Sequence, residues 1–293
     1  MTTVTSSEVK TTTVFGRRKT VNKRVSPVGY FLLAIFAFLS VFPFYWMYVV
    51  ASNTTAEVSK TPPSLIPGPR FMIVMKHVLE IVPMGHALLN TVIVGVIVAF
   101  SQVMFSALAG FAFAKLNFKA RKGMILFVIG TMMLPSQLGI IPLFDIITKF
   151  GFFDSLKALI IPALVTAFGV FWMRQIIDAQ VPNELLEAAS IDGGSVLRIF
   201  WSVVLPIIRQ SSFVLGLFSF LGVWNDFLWP GLVLRSPHNF TAQVAVQQLK
   251  ASYFIDYALN MGGALMITAP LLILFVFVGR RLVTGVMDGA VKG

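Results

Sequence analysis

The sequence contains no cysteine. Disulfides, thiolate metal sites and cysteine nucleophiles are thereby excluded. Charge is scarce too. Asp, Glu, Lys and Arg make up 12% of the 293 residues, roughly half the share usual in soluble domains. Apolar residues make up 57%, and a soluble chain of that composition would expose large apolar patches. With a mean hydropathy of +0.84, the class is a polytopic, all-α membrane protein. Histidine is limited to His77, His86 and His238, which are scattered and read as interfacial loop residues rather than metal ligands. The sequence has no Gly-Lys dipeptide, hence no Walker A loop for nucleotide phosphates. It also lacks His-Glu-x-x-His and Gly-x-Ser-x-Gly. The expectation is a subunit with no catalytic residue, no metal and no cofactor of its own.

What the chain does have is long apolar runs. Six are long enough to cross a hydrocarbon core of roughly 30 Å: residues 28–51, 88–114, 123–147, 156–173, 212–234 and 261–278. The first is too long for a signal-peptide core and lacks a small-residue cleavage site, so it reads as a retained helix. A basic tail over residues 1–25 precedes it, with Arg17, Arg18, Lys19, Lys23 and Arg24. The membrane domain then spans 26–293. With the N-terminus inside, 16 of the 23 Lys and Arg residues fall on the inner side, as the positive-inside rule requires. Both termini are expected in the cytoplasm. The net charge of +11 is a topology signal with some affinity for anionic membrane lipid, and a nucleic-acid role is set aside.

Polar residues within apolar stretches are few. Ten of the twelve acids lie in loops, tails or helix ends. Asp145 is expected near the outer end of the third span. Asp226 lies 20 residues past Pro206, roughly 30 Å along a helix, and so near the outer boundary. Trp224, Asn225 and Asp226 form a candidate solute path for a hydroxyl-rich molecule, the alternative being an interfacial aromatic belt. No acid stands clearly at mid-membrane, which weakens ion coupling as an energy source. Ser106, Gly110 and Ala114 recur every four residues and suit close helix packing, within the chain or at a subunit interface. Pro135-Ser136-Gln137 and Pro142 interrupt the third span. Such breaks face protein or a wet cavity.

The inner loop over 176–206 has more structure than a bilayer demands. Pro182 suits a first helical turn. Residues 184–191 are strong helix formers, with Glu184 and Glu187 near the positive end. Gly193 and Gly194 suit a helix stop, and Ser195 can cap a second short helix. The reading is a helical elbow built to touch another protein.

These motifs carry a resemblance. Glu187-Ala188-Ala189, Gly193, Val203, Leu205 and Pro206 follow the pattern Glu-Ala-Ala-x3-Gly-x9-Ile-x-Leu-Pro, with Val for Ile. Further matches are Gly110-Phe111-Ala112-Phe113-Ala114, Met133-Leu134-Pro135, Pro142-Leu143-Phe144, the 224–230 run from Trp224 to Pro230, and the 289–293 end. Over roughly residues 85–293 the chain resembles the permease subunits of binding-protein-dependent sugar ABC importers, in the MalG-like branch. The resemblance implies a type I importer permease fold with a coupling helix between spans four and five. It implies ATPase coupling through Glu184, Glu187, Ala188, Ala189, Asp192, Gly193 and Pro206. It also implies a second homologous permease, a homodimeric ATPase that uses ATP and Mg, an extracellular solute-binding protein, and a place in the bacterial inner membrane. The solute is expected to be a sugar or oligosaccharide. Glycerol 3-phosphate or a polyol is the alternative within the family. An autonomous secondary carrier or a structural scaffold is the alternative of another class.

Overall fold

The computed structural model describes residues 26–250 and 256–290, with 280–290 as backbone. The basic tail over 1–25 and the last residues of the 289–293 motif lie outside the described residues. Contacts divide the chain into one unit ending at Pro43 and another beginning at Phe44. Helix α1 runs Pro27–Ser52. The described part of the first unit is the start of this helix. Its side chains Phe31, Phe36 and Phe38 are exposed, as expected of a helix apolar all round.

In the second unit α2 is Phe71–Ile81, α3 is Met84–Lys115 and α4 is Arg121–Met132. After a 3-10 turn at Ser136–Gly139 comes α5, Ile140–Lys149. A short helix at Lys157–Ile160 leads to α6, Ala167–Gln180. Then follow α7 at Asn183–Ile191, α8 at Val196–Asn225, α9 at Leu228–Val233, α10 at Ala242–Gln248 and α11 at Tyr257–Ala290. All regular elements among the described residues are helical. By length and composition α1, α3, α8 and α11 can each cross a bilayer, and two bent pairs bring the number to six.

The break expected in the third span is present, and the fourth span is bent as well. The third span turns by 95° between α4 and the Ser136–Lys149 segment. Leu134 precedes a proline and is pushed out of helical geometry, so α4 ends and the chain restarts beyond Pro135. Pro142 makes no second break. It sits in the first turn of α5, where a missing N–H costs little. The fourth span bends by 41° between Lys157–Ala163 and α6 and reaches Gln180, past the expected end at 173. The fifth begins at Val196 rather than 212 and stops at Asn225. Residues beyond it form the separate α9.

Two apolar clusters fill the second unit. One gathers Val78, Val94, Val98, Leu159, Val233 and Phe240 near one end. The other gathers Ala107, Phe111, Met173, Ile177, Phe200 and Ile208 near the elbow. Between them α3 carries buried Ser101, Gln102 and Ser106. Gln102 Nε2 donates to the Ala163 carbonyl at 2.9 Å, and its Oε1 accepts from the Ser219 hydroxyl at 2.6 Å. This polar waist joins α3, α8 and the bend of the fourth span. Below it the small-residue stripe packs within the chain. A Cβ on Gly110 would lie 2.7 Å from the Arg174 backbone N, and one on Gly169 would lie 2.4 Å from Ser106 Oγ. Backbones this close need small residues on both helices.

Candidate functional site

The elbow is built locally. Pro182 stands in extended conformation directly before α7 rather than in its first turn, ending the run of α6. Glu184 occupies the first turn of α7, where the helix dipole favours an anion. The helix closes with paired bonds, Gly193 N–H to the Ser190 carbonyl at 3.0 Å and Gly194 N–H to Ala189 at 2.9 Å. Gly193 takes φ +79°, the left-handed position at which this closure favours glycine. Ser195 Oγ accepts from the Arg198 N–H and caps the next helix. That helix is not the separate short one expected. It runs through a π-helical stretch, Phe200–Val204, into the rest of α8. Pro206 cannot donate to the Ser202 carbonyl and crowds it. A widened turn just before a proline relieves the clash. The Ser195-capped helix is therefore the base of the fifth span, and a turn over residues 192–195 joins it to α7.

One face of α7 holds the elbow to the bundle. Leu186 and Ala189 pack on the inner cluster, and Lys115 Nζ donates to Asn183 Oδ1 at 2.9 Å. The other face is open. Glu184, Glu187, Ala188, Asp192 and Gly193 are exposed, and Ile191 at the tip is 86% exposed. Among the described residues the ion pairs are Lys76–Glu80 and Lys149–Asp145, so the elbow carboxylates have no ion pair. Asp145 is thereby placed on the exposed face of α5.

Trp224, Asn225 and Asp226 do not act as one group. Trp224 is buried and its Nε1 donates to the Ile267 carbonyl on α11 at 3.2 Å. Its indole serves helix packing, which corrects its place in the solute path. Asn225 is exposed and its amide donates back to Leu221 at 2.8 Å. Asp226 ends α8 and lies where two cavities meet. One, of about 460 Å³, is roofed by the break of the third span with Ser136 and Gln137, and bounded by Trp229 and Thr241. The other, of about 560 Å³, lies along the waist with Gln102, Thr166, Ser219 and Asn225. Among the described residues no Lys or Arg lines either. The hydroxyl of Thr241 is buried with no hydrogen-bond partner. Gln102 and Ser219 were missed in the sequence because single neutral polar residues in apolar runs carry no pattern, and Thr241 because it lies in an outer loop beyond the expected spans.

Asp154, between spans three and four, is a second polar centre. Its carboxylate accepts from the Arg235 and Ser236 N–H groups at 2.8 and 3.0 Å, from the Ser236 hydroxyl and from Asn239. Burial pushes its pKa up, but these bonds outweigh that and hold it at about 2. His86 and His238, far apart in sequence, bring their rings to 5.4 Å. Among the described residues no group of three metal-ligating side chains forms.

The chain is similar to known proteins along nearly its whole length. A family model described as binding-protein-dependent transport system inner membrane component matches residues 102–285. The arabinooligosaccharides transport system permease protein AraQ of Halalkalibacterium halodurans is 30% identical over 278 residues, covering 92% of this chain and 99% of that protein. The lactose transport system permease protein LacG of Rhizobium radiobacter is 30% identical, covering 90% and 96%. The sn-glycerol-3-phosphate transport system permease protein UgpE of Yersinia pestis is 29% identical, covering 88% and 94%. Among solved structures, a chain of a bacterial ABC transporter involved in the import of the acidic polysaccharide alginate has a TM-score of 0.74 at 20% identity. It covers 86% of this chain and 94% of that one, and it shares the fold.

Proposed function

The chain belongs to the family of binding-protein-dependent transport system inner membrane components, and from that premise we propose how its parts serve import. It is a multi-pass permease subunit of an ATP-binding-cassette importer, a family whose work involves an ATPase and a solute-binding protein. In our reading the ATPase is a separate pair of subunits that uses ATP and Mg, and this chain hydrolyses nothing. A second, homologous permease completes the path. Both termini and the elbow lie in the cytoplasm, a reading supported by the excess of Lys and Arg on that side.

The observation that carries this reading is the free face of α7. It offers exposed carboxylates with no ion pair among the described residues, the small Ala188 and the exposed apolar Ile191, on a helix joined to α8 by one tight turn. Such a face suits a cleft with basic groups on the ATPase. Glu184, Glu187, Ala188, Ala189, Asp192 and Gly193 set the dock, and Pro206 sets the joint above it. Closure of the ATPase pair then tilts α8 and opens the cavities at Asp226 to the outside.

The solute is a neutral sugar or oligosaccharide. The lining offers neutral hydrogen-bonding groups, Trp229 and one carboxylate, without a cation. A phosphate-bearing solute such as glycerol 3-phosphate would favour Arg or Lys there. Asn225 and Asp226 remain the solute-path residues.

Gly193→Val tests the dock. A β-branched side chain at φ +79° costs roughly 1–2 kcal/mol and disfavours the helix closure. The variant complex is expected to hydrolyse ATP without accumulating sugar in proteoliposomes. Unchanged coupled uptake would overturn the docking reading, and uptake by this chain with no ATPase present would establish an autonomous carrier instead.

A further inference from the structure

A cavity of about 570 Å³ lies beside the elbow end of the bundle, bounded by Phe113, Asn117, Arg121, Lys122, Ile125 and Arg174. It plays no part in the solute path or in the open face of α7. Three of its walls are cationic and none is acidic. The three cations differ in what they have left to offer. Arg121 spends its donors on the end of α3, with Nε to the Phe113 carbonyl at 2.8 Å and Nη2 to Ala114 at 2.9 Å. It contributes field rather than hydrogen bonds. Lys122 is exposed and, among the described ion pairs, has no partner. Arg174 is half-buried, its Nη1 donates to Gln175, and its Nε is buried with no hydrogen-bond partner among the described residues. Asp178, one turn away, forms no ion pair with it. A guanidinium drawn out of water without a counter-charge is costly, and an anion beside it offsets that cost.

Apart from Asn117, whose Oδ1 accepts from Arg121, the rest of the wall is apolar. Phe113 and Ile125 face the cavity. In line with Ile125, one and two turns further along α4, lie the apolar Ile129 and Met132, both more than a third exposed. An occupant therefore meets cations at one end and a lipid-type surface at the other. A free anion uses only the first, and an acidic peptide segment gains little from the second. We propose that this pocket seats the phosphate of an anionic phospholipid, with Lys122 and Arg174 as its direct contacts and the acyl chains along α4. Basic pockets between spans at the cytoplasmic level bind such headgroups. The leaflet named here rests on the orientation proposed above.

The test is native mass spectrometry of the whole importer complex, isolated through its ATPase and exchanged into neutral detergent with phosphatidylglycerol or phosphatidylcholine. The wild-type complex is expected to retain phosphatidylglycerol in preference to phosphatidylcholine. The double variant Lys122→Gln, Arg174→Gln is expected to lower that retention by roughly 10- to 30-fold. Arg174→Lys keeps the charge and is expected to retain the lipid. Lys122→Gln alone touches an exposed residue, so it folds, and its retention is expected to fall several-fold. Equal retention of the two lipids, or no change in Lys122→Gln, overturns the proposal. Displacement of the lipid by inorganic phosphate assigns the pocket to a free anion and overturns it as well, as does a crosslink from Lys122 to a carboxylate of another subunit. The readout is blind to orientation. Failure to isolate any complex through the ATPase counts against the docking reading, whereas an intact complex without the lipid counts against this one.

Discussion

The third and fourth spans are both broken, and they manage the break in opposite ways. The fourth bends by 41° and the third by 95°. Where the fourth bends, the Ala163 carbonyl receives Gln102 Nε2, and below the bend α6 lies against α3 at near-contact backbone distance. Where the third bends, α4 has no buried residue at all. It rests on α6 through part-buried residues only, and elements with few buried contacts sit at the low-stability end of a fold. The difference separates a closely packed half of the bundle from a half with little buried surface. The α3–α6–α8 assembly above the elbow is the frame, and the third span is a compliant flap over the cavity at Asp226.

Glycine substitution gives the largest expected separation between the two. Gly110→Leu drives a side chain into the Arg174 and Met173 backbone. Overpacking of this kind costs about 1–3 kcal/mol or more, and loss of the folded complex on heating is the expected result. Gly130→Ala, on the third span, meets nothing within 4 Å. There the change is expected to be neutral or stabilising by up to about 1 kcal/mol through helix propensity. Thermal unfolding of the two purified variants checks both signs. Equal destabilisation would erase the distinction between frame and flap.

A smaller effect is expected at the waist. Gln102→Leu leaves the Ala163 carbonyl without its donor and removes the acceptor for Ser219. The Ser219 hydroxyl keeps its bond to Leu215, so the loss falls on the carbonyl. Losing one hydrogen bond to a part-buried carbonyl beside a cavity costs about 0.5–1.5 kcal/mol. Thermal unfolding is expected to show that loss, and amide exchange is expected to rise first in residues 164–170, at the bend. An exchange increase spread evenly over the bundle would mean that Gln102 does not hold the bend.

Much of this was legible in the sequence, for reasons that differ by region. The elbow could be read closely because it is local: a helix-forming run, a glycine pair and a cap fix it within about twenty residues. The break at Pro135 was legible because proline acts on its own neighbours. The stripe at Ser106, Gly110 and Ala114 gave its packing role but not its partner, since nothing in α3 points to Gly169. The waist, the turning of Trp224 toward Ile267 and the pairing of His86 with His238 join residues more than forty positions apart. No spacing rule reaches them. The fifth span was misplaced for a related reason. Its lower part, 196–211, reads in the sequence as a separate short helix before Pro206, and it joins the span because Ile199, Phe200, Val204 and Ile208 are buried on the inner cluster.

The least costly point of attack lies where flap and frame meet. Asp154 follows the third span and holds residues 235, 236 and 239 of the segment after α9. Its folded pKa of about 2 lies below the ordinary 3.8. A depressed carboxylate contributes stability that is complete above the unfolded value and is lost as pH falls through the folded one. Protection of the Arg235 and Ser236 amides against exchange is thus expected to be flat above pH 3.8 and to fall as pH approaches about 2. Asp154→Asn keeps the shape and tolerates the positive φ of 53°, so it isolates the charge. In that variant protection is expected to be weaker but level across the same window. Because the clamp is local, the acid-induced change should stay confined to this loop, leaving α3 and α6 protected. Simultaneous loss of protection in α6 would mean that the loop and the frame open as one unit, and the division drawn between the two spans would fail there.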